Sequence, residues 1–225
     1  FLKNGTYQLP QGTANVTHNV ELKNGSSQQI VTKDVITYIK SGNISLIGES
    51  RDGVVITNTI PANETFEGKY GTASVYEGIG SSDVLQVSGS GLYFQDLTVS
   101  TGMEDARGRD IALNDKGTQN TFKNVCLHGY QDTWKSGKGL YYFEGGVIRG
   151  RTDFLCGGGY AFFNQVDIVM CEKGGYVVAP QGNNHYGYVF KDCTLKGEAS
   201  DVSGNYNLGR AWTAEAETYF INTTM

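Results

Sequence analysis

Hydrophobic positions in this chain recur in a fixed frame. Phe94, Phe122, Phe143, Phe163, Phe190 and Phe220 each open a six-residue block that closes on Val99, Leu127, Ile148, Ile168, Leu195 or Met225. The intervals between these phenylalanines are 28, 21, 20, 27 and 30 residues. Two positions after each Phe stands a residue of another kind: Asp96, Asn124, Gly145, Gln165, Asp192 or Asn222. Most of these types tolerate the left-handed backbone that a sharp corner requires. The pattern predicts short β units whose Phe and aliphatic residues point inward and stack on their counterparts in the next coil. No single unit could bury its apolar face alone, but stacked copies share one core. Residues 43–48 and 54–56 read as earlier, less regular rungs, and residues 58–70 as a long loop.

The competing readings fit less well. No window shows a sustained apolar period of 3.6, and no apolar run is long enough to span a membrane. A propeller blade needs roughly 40–50 residues, about twice the interval seen here. The expected fold class is therefore all-β, a parallel β-helix, with residues 1–225 forming one solenoid domain. The longer coils should carry loops, which are the usual seats of function. The chain opens and stops inside strand-like runs, so it is expected to be part of a longer protein or a trimmed one, incomplete at both ends.

Composition narrows the picture. Gly is abundant at 31 and Pro scarce at 3, while Tyr and Phe number 14 and 10. That balance suits a turn-rich β protein with aromatic stacking. The formal net charge of −5 argues against a nucleic-acid binder, which would carry a basic stripe. It leaves room for an anionic substrate held by local arginines. Arg107, Arg109, Arg149, Arg151 and Arg210 lie near the segments of interest, where ion pairing or solvation is the competing reading for each. Cys126, Cys156, Cys171 and Cys193 include no C-x-x-C pair, so a zinc site is not expected, and buried thiols are favoured over disulfides. His128, close to Asp132, reads as a structural histidine.

The candidate chemistry lies in two segments, Gly129-Tyr130-Gln131-Asp132-Thr133 and Gly150-Arg151-Thr152-Asp153-Phe154. Asp132 and Asp153 each stand ten residues after a frame phenylalanine, at the same phase of consecutive coils. Neighbouring strands lie about 4.8 Å apart, so the two carboxylates should be neighbours, and one should hold its proton more tightly. Such a pair can act as general acid and as nucleophile or base. The same spacing also fits a ladder of corner aspartates, and it does not choose between ester and glycosidic chemistry. Gln131 offers amide donors for an oxyanion. Arg210 offers a fork that holds a carboxylate ionised, and Trp212 offers a face for a sugar.

These motifs resemble those of the pectin methylesterases (pectinesterases). Gly129-Tyr130-Gln131-Asp132-Thr133 matches the family's G-Y-Q-D-T. Residues 150–157 resemble its G-T-V-D-F-I-F-G, Gln181-Gly182 the start of its Q-G-R, and Gly209-Arg210-Ala211-Trp212 its G-R-P-W. The four occur in the family's order across most of the chain. The resemblance implies a right-handed parallel β-helix and hydrolysis of C6 methyl esters of galacturonate. In that reading Asp153 attacks the ester, Asp132 is acid and then base, Gln131 stabilises the oxyanion, and Arg210 positions Asp153. Trp212, Arg109, Trp134 and Gln181 are the implied substrate-binding residues. No metal or organic cofactor is implied. The implied partner is methyl-esterified homogalacturonan, with no nucleic acid, no membrane and a monomeric chain, in a secreted or periplasmic setting.

The chain departs from the family pattern at several positions, which resemble a bacterial branch more than the plant one. Arg109 aligns with a glutamine that would supply a second oxyanion donor. Trp134-Lys135 replaces Leu-Tyr, Cys156 replaces an aromatic, and Asn183 replaces the arginine of Q-G-R. The alternatives are a β-helix glycoside hydrolase acting on polygalacturonate, a pectate-lyase-like β-helix, and a non-catalytic carbohydrate-binding solenoid.

Overall fold

The computed structural model describes residues 1–9, 15–21, 27–33, 37–58, 83–102, 111–182 and 187–225. Its described residues form strands and turns with no helix. Three parallel sheets of seven strands wrap one core. The first contains β1 (Gly5–Gln8), β6 (Val54–Thr57), β9 (Thr98–Ser100), β12 (Cys126–His128), β15 (Val147–Gly150), β18 (Asp167–Met170) and β21 (Thr194–Gly197). The second contains β4 (Thr37–Ile39), β7 (Leu85–Val87), β10 (Leu113–Asp115), β13 (Trp134–Ser136), β16 (Leu155–Gly157), β19 (Tyr176–Pro180) and β22 (Asn207–Gly209). The third contains β5 (Ser45–Ile47), β8 (Tyr93–Gln95), β11 (Asn120–Lys123), β14 (Leu140–Glu144), β17 (Tyr160–Asn164), β20 (Tyr188–Lys191) and β23 (Thr218–Ile221). A separate antiparallel hairpin joins β2 (Asn15–Glu21) to β3 (Ser27–Lys33). Each coil visits the three sheets in turn, which makes the fold a right-handed parallel β-helix.

The phenylalanine frame is the spine of the core. Phe94, Phe122, Phe143, Phe163, Phe190 and Phe220 are register partners on successive strands of the third sheet. Their rings stack with centroids 5.2, 4.4, 4.8, 4.5 and 4.9 Å apart. Val99, Leu127, Ile148, Ile168 and Leu195 form a second column in the first sheet. Thr194 bridges Thr224, which keeps Met225 in register with Leu195, but Met225 lies on the last described coil and is 65% exposed. Leu46 pairs with Phe94 and Ile56 with Val99, so the two irregular upstream segments are rungs as expected. The loop expected over 58–70 lies outside the described residues beyond Asn58.

The corner positions explain how the coil turns. Asp96, Asn124, Gly145, Gln165, Asp192 and Asn222 all have positive φ, between 48° and 62°. Burying the Phe two residues earlier and the aliphatic three residues later forces the chain from one sheet into the next within two residues. Asn and Asp then cross-link the corners: Asn124 Nδ2 donates to Asp96 Oδ1 at 2.6 Å, and Asn222 Nδ2 to Asp192 Oδ1 at 2.5 Å.

Candidate active site

The second sheet carries the candidate site on its outer face. Along β13, Trp134 and Ser136 are buried and Lys135 is half-buried between them. The register aligns Trp134 with Leu113 and Leu155, and Lys135 with Asn114 and Cys156. Period-two alternation therefore sends Trp134 into the core and Lys135 outward. Trp134 is 0% exposed and meets Tyr141, Phe143 and Phe163 edge-on, with centroids 5.2, 5.1 and 5.7 Å away. This corrects the expectation that Trp134 binds substrate. Its neighbours in the column are core aliphatics, and its position twelve residues after Phe122 matches that of Leu155 after Phe143.

The two aspartates sit at the corner between the first and second sheets. Asp132 follows β12 and precedes β13, and Asp153 stands likewise between β15 and β16. Gln131 and Thr152 form a parallel bridge, so the aspartates are one rung apart. The Asp132 N–H donates to Thr152 O at 3.3 Å, and the Asp153 N–H to Tyr176 O at 2.8 Å. Both are left-handed, with φ of 62° and 50°. Asp tolerates that conformation better than most residues, and it turns both side chains out of the strand direction. Asp132 and Asp153 are 6% and 7% exposed as residues, so neither is an ordinary surface charge.

Arg210 reaches this corner from the end of β22. Its Nε donates to Asp153 Oδ1 at 2.9 Å and its Nη2 donates to Oδ2. The Asp153 carboxylate raises the Arg210 pKa above its ordinary value. The guanidinium also lies over the Tyr176 ring, 4.8 Å from its centroid. Arg210 itself is fixed by its N–H, which donates to Val178 O at 2.9 Å.

A cleft of about 420 Å³ joins these groups. It is lined by Gln131, Asp132, Lys135, Asp153, Cys156, Ala179, Arg210, Ala211 and Trp212. Trp212 is 47% exposed, with Lys135 Nζ 5.6 Å from the centre of its ring. Cys156 forms part of the floor, and burial above all, then the nearby Asp132 carboxylate, pushes its thiol well above the usual range. The arrangement can supply one carboxylate held by a cation, a second carboxyl one rung away, and an amide beside them.

The remaining expected residues are placed as follows. Gln181, half-buried just past β19, is not among the cleft's lining residues; its N–H donates to Gly157 O at 2.8 Å. Arg107 and Arg109 lie outside the described residues. Arg149 is committed to Glu198 and His128, and Arg151 to Glu172, so neither serves the cleft. His128 is pushed down to about 4 by burial and by Arg149, consistent with a structural role. All four cysteines are free thiols; three are buried and Cys126 is partly so. Tyr176 was not anticipated. Its signal was weak, because an aromatic at the start of a strand looks like any other core residue. Among the described residues, no group of three His, Cys, Asp or Glu side chains could hold a metal ion.

Comparison with known proteins gives the same picture. Pectinesterase A of Dickeya dadantii is 28% identical over 91% of this chain, and pectinesterase 1 of Olea europaea 27% over 86%. The chain spans 64% of the length of the Dickeya protein and 55% of the olive one. A solved pectin methylesterase in complex with a hexasaccharide superposes with a TM-score of 0.75 at 26% identity, covering 99% of this chain and 68% of that one. The pectin methylesterase of Erwinia chrysanthemi gives 0.74 at 26% identity, over the same shares. The profile of the pectinesterase family matches residues 8–225, and the chain belongs to that family.

Proposed function

We propose that residues 1–225 act as one β-helix domain that hydrolyses C6 methyl esters of galacturonate in pectin, releasing methanol and leaving acidic homogalacturonan. The observation that carries this reading is the Arg210 fork on Asp153, one rung from Asp132, in a cleft that also holds Gln131. An ionised carboxylate gripped from behind and open to a cleft is suited to attack. A second carboxyl one rung away, opening onto the same cleft, is suited to carry a proton.

The steps balance with these residues alone. Asp153 adds to the ester carbonyl carbon, and Gln131 donates to the oxyanion that forms. The C–OCH₃ bond then breaks as the Asp132 proton passes to the departing oxygen, giving methanol and an anhydride between Asp153 and the substrate. Water adds to the anhydride while Asp132 takes its proton. The C–O bond to Asp153 then breaks, Asp153 is regenerated as a carboxylate and Asp132 is again protonated; the product leaves as a uronic acid that releases its remaining proton to solvent as it becomes a carboxylate. Trp212 lines the sugar path, and Arg109 is the proposed second donor to the oxyanion. The substrate is a polysaccharide of plant cell walls, so the proposed setting is extracellular or periplasmic, with the chain acting as a monomer and no cofactor required.

The test is methanol release from methylated pectin, with reducing ends measured alongside. Methanol without new reducing ends supports the esterase. New reducing ends without methanol would support the glycoside hydrolase reading instead.

A further inference from the structure

Lys135 is the charged cleft residue that these steps leave unused. It stands on the outer face of β13, beside Cys156 of the next coil and three residues past Asp132. Three extended residues span at most ~10 Å, so its ammonium reaches a point on the order of one or two sugar units from the reacting carbonyl. Among the described residues that line the cleft, the other cation is Arg210, whose fork is committed to Asp153. Among the described residues no carboxylate lies within ion-pair distance of Lys135. Its Nζ lies instead against the Trp212 ring, at 5.6 Å from the centroid.

A lysine so placed offers its charge to an anion that enters the cleft. The ester that reacts is neutral and gives it none. The neighbouring units of the same polymer differ in this respect: a methylated unit is neutral, and a demethylated one carries a carboxylate. We propose that Lys135 determines specificity by pairing with the free carboxylate of a galacturonate unit adjacent to the one being hydrolysed. The inference rests on the esterase reading of the same cleft. A methylated neighbour would cover the ammonium without supplying a partner, so discrimination comes both from the pair made and from the charge left unpaired. The carboxylate made in one turnover then becomes the feature recognised in the next.

The experiment compares wild type, Lys135→Met and Lys135→Arg on two homogalacturonans of equal length, one almost fully methylated and one about half demethylated. Methanol release gives kcat and KM, and calorimetry gives the affinity for a demethylated galacturonate tetramer at low and high salt. The Met variant keeps the apolar stem against Trp212 and removes the charge. It should raise KM on the half-demethylated polymer about fivefold, the scale of a partly exposed ion pair, with kcat and its pH profile unchanged. On the fully methylated polymer it should match wild type. Tetramer affinity should fall by a similar factor at low salt and less at high salt, and the Arg variant should restore both. Equal effects on the two polymers, a shifted pH profile or no effect would overturn the proposal. Lys135-dependent tetramer binding by a chain that releases no methanol would overturn the esterase reading and leave Lys135 only as a uronate-binding residue. Methanol release with no dependence on Lys135 would overturn the role of Lys135 and leave the esterase reading standing.

Discussion

Arg210 grips Asp153 with both arms of its guanidinium, across 57 residues of chain. Two parallel bonds fix the plane of the carboxylate as well as its charge. A lysine could supply the charge but not the plane. Arg210→Lys should therefore lower kcat about 100-fold, the scale of a misplaced reacting group, and change KM little. Methanol-release kinetics check this, and a variant that changes only KM would count against a positioning role.

Gln131 is bridged to Thr152 and opens onto the cleft beside both aspartates. If its amide meets the oxyanion, Gln131→Ala should cost about 10²–10³ in kcat. Affinity for a demethylated product oligomer, which has no oxyanion, should stay the same. A parallel loss of product binding would instead assign Gln131 to the ground state.

The two tryptophans should separate cleanly. Trp134 is sealed in the core, and Trp134→Ala should destabilise the fold by about 3–5 kcal/mol. Trp212 is half-exposed over the cleft. Trp212→Ala should raise KM and leave the melting temperature within a degree or two, as surface substitutions usually do. Urea unfolding and methanol-release kinetics on both variants check the pair.

The fold was legible because the coil repeats its own physics. One Phe, one corner residue and one aliphatic recur in each coil from Phe94 to Leu195, and the same three positions become ring stack, positive-φ corner and core column. The aspartate pair was legible for the same reason, since equal phase in adjacent coils means adjacency in space. Trp134 was misread because motif resemblance was weighed above strand parity; counting from Phe122 puts it in the column of Leu155. Tyr176 could not be singled out, because its contact with Arg210 is made across separate coils and no local spacing encodes it. The grip of Arg210 on Asp153 was expected only through the resemblance, since 57 residues of intervening chain fix no geometry by themselves.

Asp115, the wholly buried last residue of β10, predicts a pH dependence of stability. Its Oδ1 accepts from the Gly117 N–H and Asn120 Nδ2, while Oδ2 is buried with no partner among the described residues. Burial pushes its pKa up to about 7. The folded chain thus holds a proton that the unfolded chain releases near pH ~4. This stabilisation is complete below that pH and is lost as the pH rises through the folded value. Asp115→Asn keeps the Oδ1 acceptor and never ionises. It should melt like wild type at pH 4 and above it at pH 8. Identical pH dependence of the two melting temperatures would contradict this.

Asp153 is the proposed nucleophile of the ester. Asparagine suits the test better than alanine, because position 153 has a φ of 50° and asparagine accepts that backbone readily. The measurement is single-turnover methanol release from methylated homogalacturonan by Asp153→Asn, with binding of the polymer followed in parallel. With Asp153 as nucleophile, release should fall at least about 10⁴-fold, the scale of losing a nucleophile, with binding and folding intact. Release at a rate within tenfold of wild type would contradict it.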